Sequence, residues 1–226
     1  MSFMASTKKA TVAEMKAWVR EMYSDFVFDI VGFATSTGKI IPLDLEPGTL
    51  GNIIEGALIA HLKDKTDKMK DVSVTEGGMR HYPDLELTGE HFKNALVALD
   101  IKAARRGKNP NRTQSRITLY SFGTYLKHQD KKFPQTIRPF ADYTHHIDLM
   151  AIFDVDAVAN KVNNFELLVV EPWKVASHTA SSATRDYVGA VMEIDRIREE
   201  RGEFKTRQEF YDHWAGILRR GEKPLK

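Results

Sequence analysis

The chain has 226 residues, 42% hydrophobic and 28% charged, with a formal net charge of +2. That length supports a sizeable core, and the charge balance is too mild to mark a nucleic-acid binder by itself. The absence of cysteine excludes disulfides, thiol catalysis and Cys-ligated zinc, and no apolar run reaches the about 18–20 residues that span a bilayer.

The opening stretch, MSFMASTKKATVAEMK, has no apolar signal core, so a cytoplasmic protein with no membrane partner is expected. TVAEMKAWVREMYSDF then predicts a helix. Thr11 and Glu14 have the spacing of a capping box, and Val12, Met15, Val19 and Met22 share one helical face. FDIVGFATSTGKIIPL reads as two short strands around a turn, with Gly38 where a positive φ costs least. TLGNIIEGALIAHLKDKTDK is a second helix with a stripe of Leu50, Ile53, Ile54, Ala57, Leu58 and Leu62. Glu55 falls beside that stripe, either as a boundary glutamate or as an acid leaning over a site.

The segment RHYPDLELTGEHFKNALVALDIKAARRGK, residues 80–108, carries the chemistry. Read as a strand, NALVALDIKA turns Val97, Leu99 and Ile101 to one face and Ala98, Asp100 and Lys102 to the other. Asp84 opens the preceding strand DLEL, and a hairpin-like return through TGEHFKN brings it beside Asp100. Charges at a core edge are expensive unless paired or bound to a metal. Two carboxylates suit a hard cation, Mg²⁺ with Mn²⁺ as substitute, which polarises a phosphate and lowers the pKa of bound water. Lys102 would face the charge that develops on the phosphate or orient the attacking water. Asp-x-Lys is nevertheless a common tripeptide whose ordinary meaning is a surface ion pair. From Lys102 to Arg116 six residues are basic and none acidic, which is either a solvated loop or a phosphate-contacting surface.

ITLYSFGTYLKH follows, and beyond it HHIDLMAIFDV and NFELLVVEPWKVA read as strands and SHTASSATRD as a small polar loop. YVGAVMEIDRIREERG reads as a helix. The last helix, TRQEFYDHWAGILRRG, has a capping box in Thr206 and Glu209 and a stripe of Phe210, Trp214, Ile217 and Leu218. His145 and His146 are adjacent and project differently, so they offer no zinc-ligand pattern. There is no Gly-rich phosphate loop and no G-x-S-x-G elbow. No linker or repeat interrupts the pattern, so one α/β domain with a mixed sheet is expected.

In combination these stretches resemble the type II restriction endonucleases of the PD-(D/E)xK class, in their EcoRV-like branch. The likeness rests on Asp29, Gly32, Gly38, Lys39, Ile40, Pro42 and Leu43, then HYPD (His81–Asp84), DIK (Asp100–Lys102) and Pro139, Phe140 and Tyr143 of PFADY. It ends with Gly202, Phe204, Glu209, Phe210, Asp212 and Trp214 of GEFKTRQEFYDHW, all in one order along the chain. The resemblance implies a restriction-endonuclease-like mixed central β-sheet flanked by helices. It also implies an N-terminal dimerisation hairpin at 28–43 and a catalytic and DNA-binding core at 44–226. Asp84, Asp100 and Glu55 would be the acidic, metal-binding residues and Lys102 the catalytic lysine.

The implied activity is Mg²⁺-dependent, site-specific hydrolysis of double-stranded DNA by a homodimer, giving 5′-phosphate and 3′-hydroxyl ends. A DNA methyltransferase is the expected functional counterpart, without a stable complex. Gly78, Met79 and Arg80 lie in the loop that would approach the minor groove. Ser181, Ser182, Thr184 and Arg185 lie in the loop His178–Asp186 that would enter the major groove. Arg105, Arg106, Lys108 and Arg112 fall where backbone phosphates would pass. The chain departs from the pattern in that major-groove loop, which is glycine-rich in the family and has no glycine between Ala180 and Arg185 here. The rival readings are a repair nickase or junction resolvase on the same scaffold, or a catalytically silent DNA-binding module. The intact Asp84, Asp100 and Lys102 set argues against the last.

Overall fold

The computed structural model describes residues 8–78, 80–121, 123–182 and 185–220. Met79 and Thr184, both named above as DNA-facing, lie outside the described residues. Helix α1 (Val12–Met22) is capped as its sequence requires. Thr11 Oγ1 accepts from the Glu14 N–H at 3.3 Å, and Glu14 Oε2 accepts from the Thr11 N–H at 2.6 Å. Such a cap contributes about 1 kcal/mol. Strands β1 (Gly32–Ala34) and β2 (Ile40–Pro42) form the expected antiparallel hairpin, with Gly38 at φ +81° in its turn. Helix α2 (Pro47–Thr66) is capped by the Glu46 carboxylate and buries Leu50, Ile54, Leu58 and Leu62. No helix among the described residues is long and apolar enough to cross a membrane.

The remaining elements are β3 (Ser73–Glu76), β4 (Leu85–Thr88), β5 (Val97–Arg105), β6 (Arg112–Tyr120), α3 (Gly123–Lys127), β7 (His145–Asp156), β8 (Lys161–Val170), α4 (Pro172–Val175), β9 (Val188–Glu193), α5 (Ile194–Arg198) and α6 (Arg207–Arg220). The central sheet has the order β3-β4-β5-β7-β8. β5 and β7 run parallel and the other neighbours antiparallel, so the sheet is mixed as expected. β6 and β9 form a separate two-stranded antiparallel sheet.

Period-2 alternation in β5 explains why the sheet divides two cores. Val97, Leu99 and Ile101 pack with Leu85, Leu87, Ile147 and Leu149 against Met15 and Val19 of α1 and the stripe of α2. Ala98 of β5 and Met150 and Ile152 of β7 face the second core, with Tyr120, Phe140, Phe210 and Trp214. Strands buried on both faces tolerate few charges. Truncating Leu99, fully buried at the centre, would cost about 2–5 kcal/mol.

Three local readings are corrected. YVGAVMEIDRIREERG is not one helix: Val188–Glu193 is strand β9 and only Ile194–Arg198 is helical. Pairing with β6 outweighs helical periodicity there, and Gly189 sits at φ +66°, outside helical geometry, with Leu119 and Phe210 packed on its bare Cα. The basic segment 102–116 is mostly strand, since β5 runs to Arg105 and β6 begins at Arg112. In α6 the capping box is only half formed. Thr206 Oγ1 accepts from the Glu209 N–H at 3.1 Å, but the Glu209 carboxylate accepts from the Lys205 N–H at 2.7 Å. Phe210 and Trp214 are buried as expected, whereas Ile217 is exposed.

Candidate active site

Strand register brings the carboxylates together. Leu85 of β4 lies opposite Leu99 of β5, so Asp84, one residue earlier, lies opposite Asp100. Asp84 Oδ2 accepts from the Ile101 N–H at 2.6 Å, which fixes its carboxylate against β5 between Asp100 and Lys102. Asp100 is 3% exposed, and its Oδ2 meets the Lys102 ammonium in an ion pair. Lys102 emerges on the same face, partly exposed. Glu55, on α2, completes the acidic set from the helix side and interacts with Lys102, Asp100 and the Ala103 N–H.

Charge in this site is poorly compensated. Burial, and then Asp100, push the Asp84 carboxyl up to about 8. Burial likewise raises Glu55, with Asp100 adding to it and Lys102 offsetting part. Burial opposes the charge on Lys102, yet Asp100, Asp148 and Asp84 together hold its ammonium above the ordinary lysine range. Lys102 is therefore a fixed positive charge at neutral pH.

Asp148 is the residue that sequence reading missed. It is the register partner of Asp100 across the parallel β5–β7 pair, so both side chains leave the same face. It is fully buried, and neither carboxylate oxygen has a hydrogen-bond partner among the described residues. Burial, followed by Asp100, raises it well above the ordinary carboxylate range. Its sequence signal is one Asp interrupting the apolar run HHIDLMAIF, but the strand partner that gives it meaning lies 48 positions upstream.

The donor set suits a hard cation. It consists of carboxylate oxygens, and both Asp148 oxygens lack hydrogen-bond partners among the described residues. As they stand, no three acidic or histidine side chains among the described residues enclose one ion position. The arrangement fits a cation attached through Asp84 and Asp100 with water completing its shell, as Mg²⁺ commonly is. Neighbouring His146 is not part of that set. Its Nδ1 bonds the Tyr82 hydroxyl at 2.8 Å, its ring stacks on Phe140, and burial pushes its pKa down to about 3.

The residues expected to face DNA divide into anchored and exposed groups. Gly77 and Gly78 are tied to the catalytic strand start, since the Gly77 N–H donates to the Asp84 carbonyl at 2.7 Å and the His81 N–H to the Gly78 carbonyl at 2.9 Å. Arg80 holds φ +60°, an uncommon conformation for a residue with a side chain. Arg105, Arg106, Lys108 and Arg112 line one basic cleft. Within it Arg106 is committed to Glu166 at 2.7 Å and to the Asn164 carbonyl at 2.5 Å, while Arg112 is half-exposed with Glu193 at 3.4 Å. In the loop before β9, Ser181 bonds Thr118 at 2.6 Å and Ser182 is half-buried. The Arg185 guanidinium donates to the Tyr187 hydroxyl at 2.6 Å and lies over its ring, which leaves Arg185 preorganised and exposed.

A mixed sheet that sets Asp84, at the start of β4, beside Asp100 and Lys102 in the middle of the adjacent β5 is the arrangement of a restriction-endonuclease-like nuclease. The chain belongs to the EcoRV restriction endonuclease family: the family model described as restriction endonuclease EcoRV matches residues 16–223. Over 209 residues it is 21% identical to the type II restriction enzyme EcoRV of Escherichia coli, covering 85% of this chain and 83% of that one. Among solved structures it is similar to restriction endonuclease BglI bound to its DNA recognition sequence. That match is 14% identical with a TM-score of 0.34, and covers 68% of this chain and 61% of the other.

Proposed function

We propose that the protein is a Mg²⁺-dependent type II restriction endonuclease. It hydrolyses phosphodiester bonds at specific sites in double-stranded DNA, in the cytoplasm, and leaves 5′-phosphate and 3′-hydroxyl ends. The observation that carries this reading is the buried, undercompensated pair Asp84 and Asp100 beside a lysine held in its charged form. Asp84 and Asp100 would hold the cation, with Glu55 as an accessory acid, and Mn²⁺ should substitute. The bound cation supplies Lewis-acid polarisation of the phosphate and a more acidic water.

The chain's own residues do the rest. The Ile101 N–H fixes the Asp84 carboxylate, so its orientation toward Asp100 is preset. Lys102, kept protonated first by its ion pair with Asp100, donates to a non-bridging phosphate oxygen as negative charge builds there. A group held that firmly protonated is an electrostatic partner and not the base. Water attacks phosphorus in line and releases a proton to solvent, the P–O3′ bond breaks, and the departing oxygen takes a proton from solvent water to become the 3′-hydroxyl.

Assembly as a homodimer is supported by the hairpin region. Val27, Val31, Phe33, Ile40 and Ile41 are all more than half exposed there, although each is large and apolar. A two-fold dimer presents one reading loop to each half-site, so a palindromic target is expected. Arg185, exposed on that loop, has the planar fork that reads guanine. A methyltransferase of the same specificity would protect the host sites. Digestion of supercoiled plasmid with Mg²⁺, followed by sequencing of the ends, tests the proposal. Discrete fragments with 5′-phosphate ends are expected. A random nick pattern would indicate a repair nickase, and no metal-dependent cutting would leave only DNA binding.

A further inference from the structure

Most buried carboxylates of this chain have partners of opposite charge. Glu86 is paired with Arg138, and Glu171 with Lys174 and Arg207. Asp148 has none, although it is wholly enclosed and both of its oxygens are unpartnered among the described residues. Lys102, whose charge acts on Asp148, makes its contact with Asp100. Asp148 also has no evident packing role, since Met150, the next residue on its face, is an ordinary apolar core residue. An unpaired acid at such a place is costly, and an apolar residue would fit the strand better.

We propose that Asp148 is a further carboxylate of the metal centre, beyond Asp84, Asp100 and Glu55, accepting hydrogen bonds from water carried by the divalent cation that Asp84 and Asp100 hold. This rests on the metal-dependent nuclease reading given above. Three observations converge on it. Asp148 is the register partner of Asp100 on a parallel strand, so their side chains stand about one strand spacing of ~4.8 Å apart on one face. Its charge interacts with Asp100, Lys102 and Asp84, the three members of the site. Both Asp148 oxygens lack hydrogen-bond partners among the described residues, and the waters that a small divalent cation keeps need such acceptors. A carboxylate just behind the ligands is the usual acceptor, and removing such a partner commonly costs about 10–100-fold in metal affinity.

The test is a Mn²⁺ titration of the full-length, DNA-free protein, with free Mn²⁺ read by electron paramagnetic resonance. Asp148→Asn should weaken binding about 10-fold or more. Asp84→Asn should weaken it further. Asp156→Asn, which makes the same Asp-to-Asn change at the far end of β7, should stay within about two-fold of wild type. Asp148→Ser serves as a second variant if the amide is poorly accommodated, and circular dichroism confirms that each variant is folded. Wild-type affinity in both Asp148 variants, with loss in Asp84→Asn, overturns the role of Asp148 and leaves the metal site standing. Equal weakening by Asp156→Asn and Asp148→Asn also overturns it, since the effect would then be general charge. Wild-type affinity in Asp84→Asn as well would overturn the metal-site reading itself.

Discussion

Glu171 and Asp148 are both buried carboxylates, 2% and 0% exposed, and their surroundings are opposite. Glu171 is met by Lys174 at 2.6 Å, Arg207 at 2.9 Å and the Trp173 Nε1–H at 3.2 Å. Burial pulls against its charge, but those partners hold its carboxyl below the ordinary range. Its own N–H donates to Glu200, which also pairs with Lys16 at 2.5 Å, so the cluster ties α1, α4 and α6 together. Among the described residues, Asp148, with Asp84 and Asp100, shares only Lys102. Satisfied acids hold elements in place, whereas acids left short of positive charge raise the energy of the metal-free fold and keep affinity for a cation. Buried negative charge therefore has two uses in this chain, and the partner inventory tells them apart.

The largest effect should come from removing ligands. Asp84→Ala or Asp100→Ala is expected to lower single-turnover cleavage about 10³-fold or more, the loss of several kcal/mol of transition-state stabilisation. Near wild-type rates would remove these residues from catalysis. Lys102→Ala should lose about 10²–10³-fold in rate while fluorescence anisotropy shows DNA binding retained, because its donation matters most in the transition state. Parallel loss of binding and rate would recast Lys102 as a binding residue.

The satisfied cluster should respond in stability instead. Glu171→Ala removes the carboxylate that Lys174, Arg207 and Trp173 share and should cost about 1.5–3 kcal/mol in urea unfolding, since both cations are partly exposed and can turn to water. A change below about 1 kcal/mol would erase the contrast between the two regions.

The two clusters should also titrate in opposite senses. Asp84, raised to about 8 from 3.8, keeps a proton in the metal-free fold that the unfolded chain releases, so stability falls as pH rises toward 8. Glu55 and Asp148 act in the same direction. Glu171, lowered from 4.5, contributes stability that is present above that value and lost in acid. His146, lowered from 6.5 to about 3, contributes stability that is likewise lost only as pH falls below 6.5. Between pH 6.5 and 8 the site carboxylates therefore dominate. Urea midpoints of metal-free protein should fall across that window, and those of Asp84→Asn should fall less. Equal slopes in the two proteins would contradict the assignment.

The smallest effect concerns sequence reading. Arg185→Ala should relax one position of the target at a cost of about 1–3 kcal/mol. Uniformly weaker binding with unchanged preference would make Arg185 a phosphate contact.

The parts legible in the sequence were those with local signals. The Thr11–Glu14 box, the turn at Gly38 and the alternation through Val97–Lys102 each rest on residues a few positions apart. The meeting of Asp84 and Asp100 was also legible, because a short return between antiparallel strands constrains the register. Asp148 was not, because its neighbour Asp100 belongs to a parallel strand reached through a long crossover. Strand β9 was misread for a similar reason: its partner β6 is distant in sequence, and pairing overrode helical periodicity. The pairing of Arg106 with Glu166 was not legible either, because β8 brings that partner from 60 positions away.

The most direct test is calorimetric. Metal-free wild type and Asp84→Asn should be melted side by side, each with and without saturating Mg²⁺. If the acids of the site are strained until a cation arrives, the metal-free variant melts at or above the wild-type temperature, and Mg²⁺ raises the melting point of wild type far more than that of the variant. A variant that melts several degrees below wild type without metal, with both shifted equally by Mg²⁺, would contradict the account.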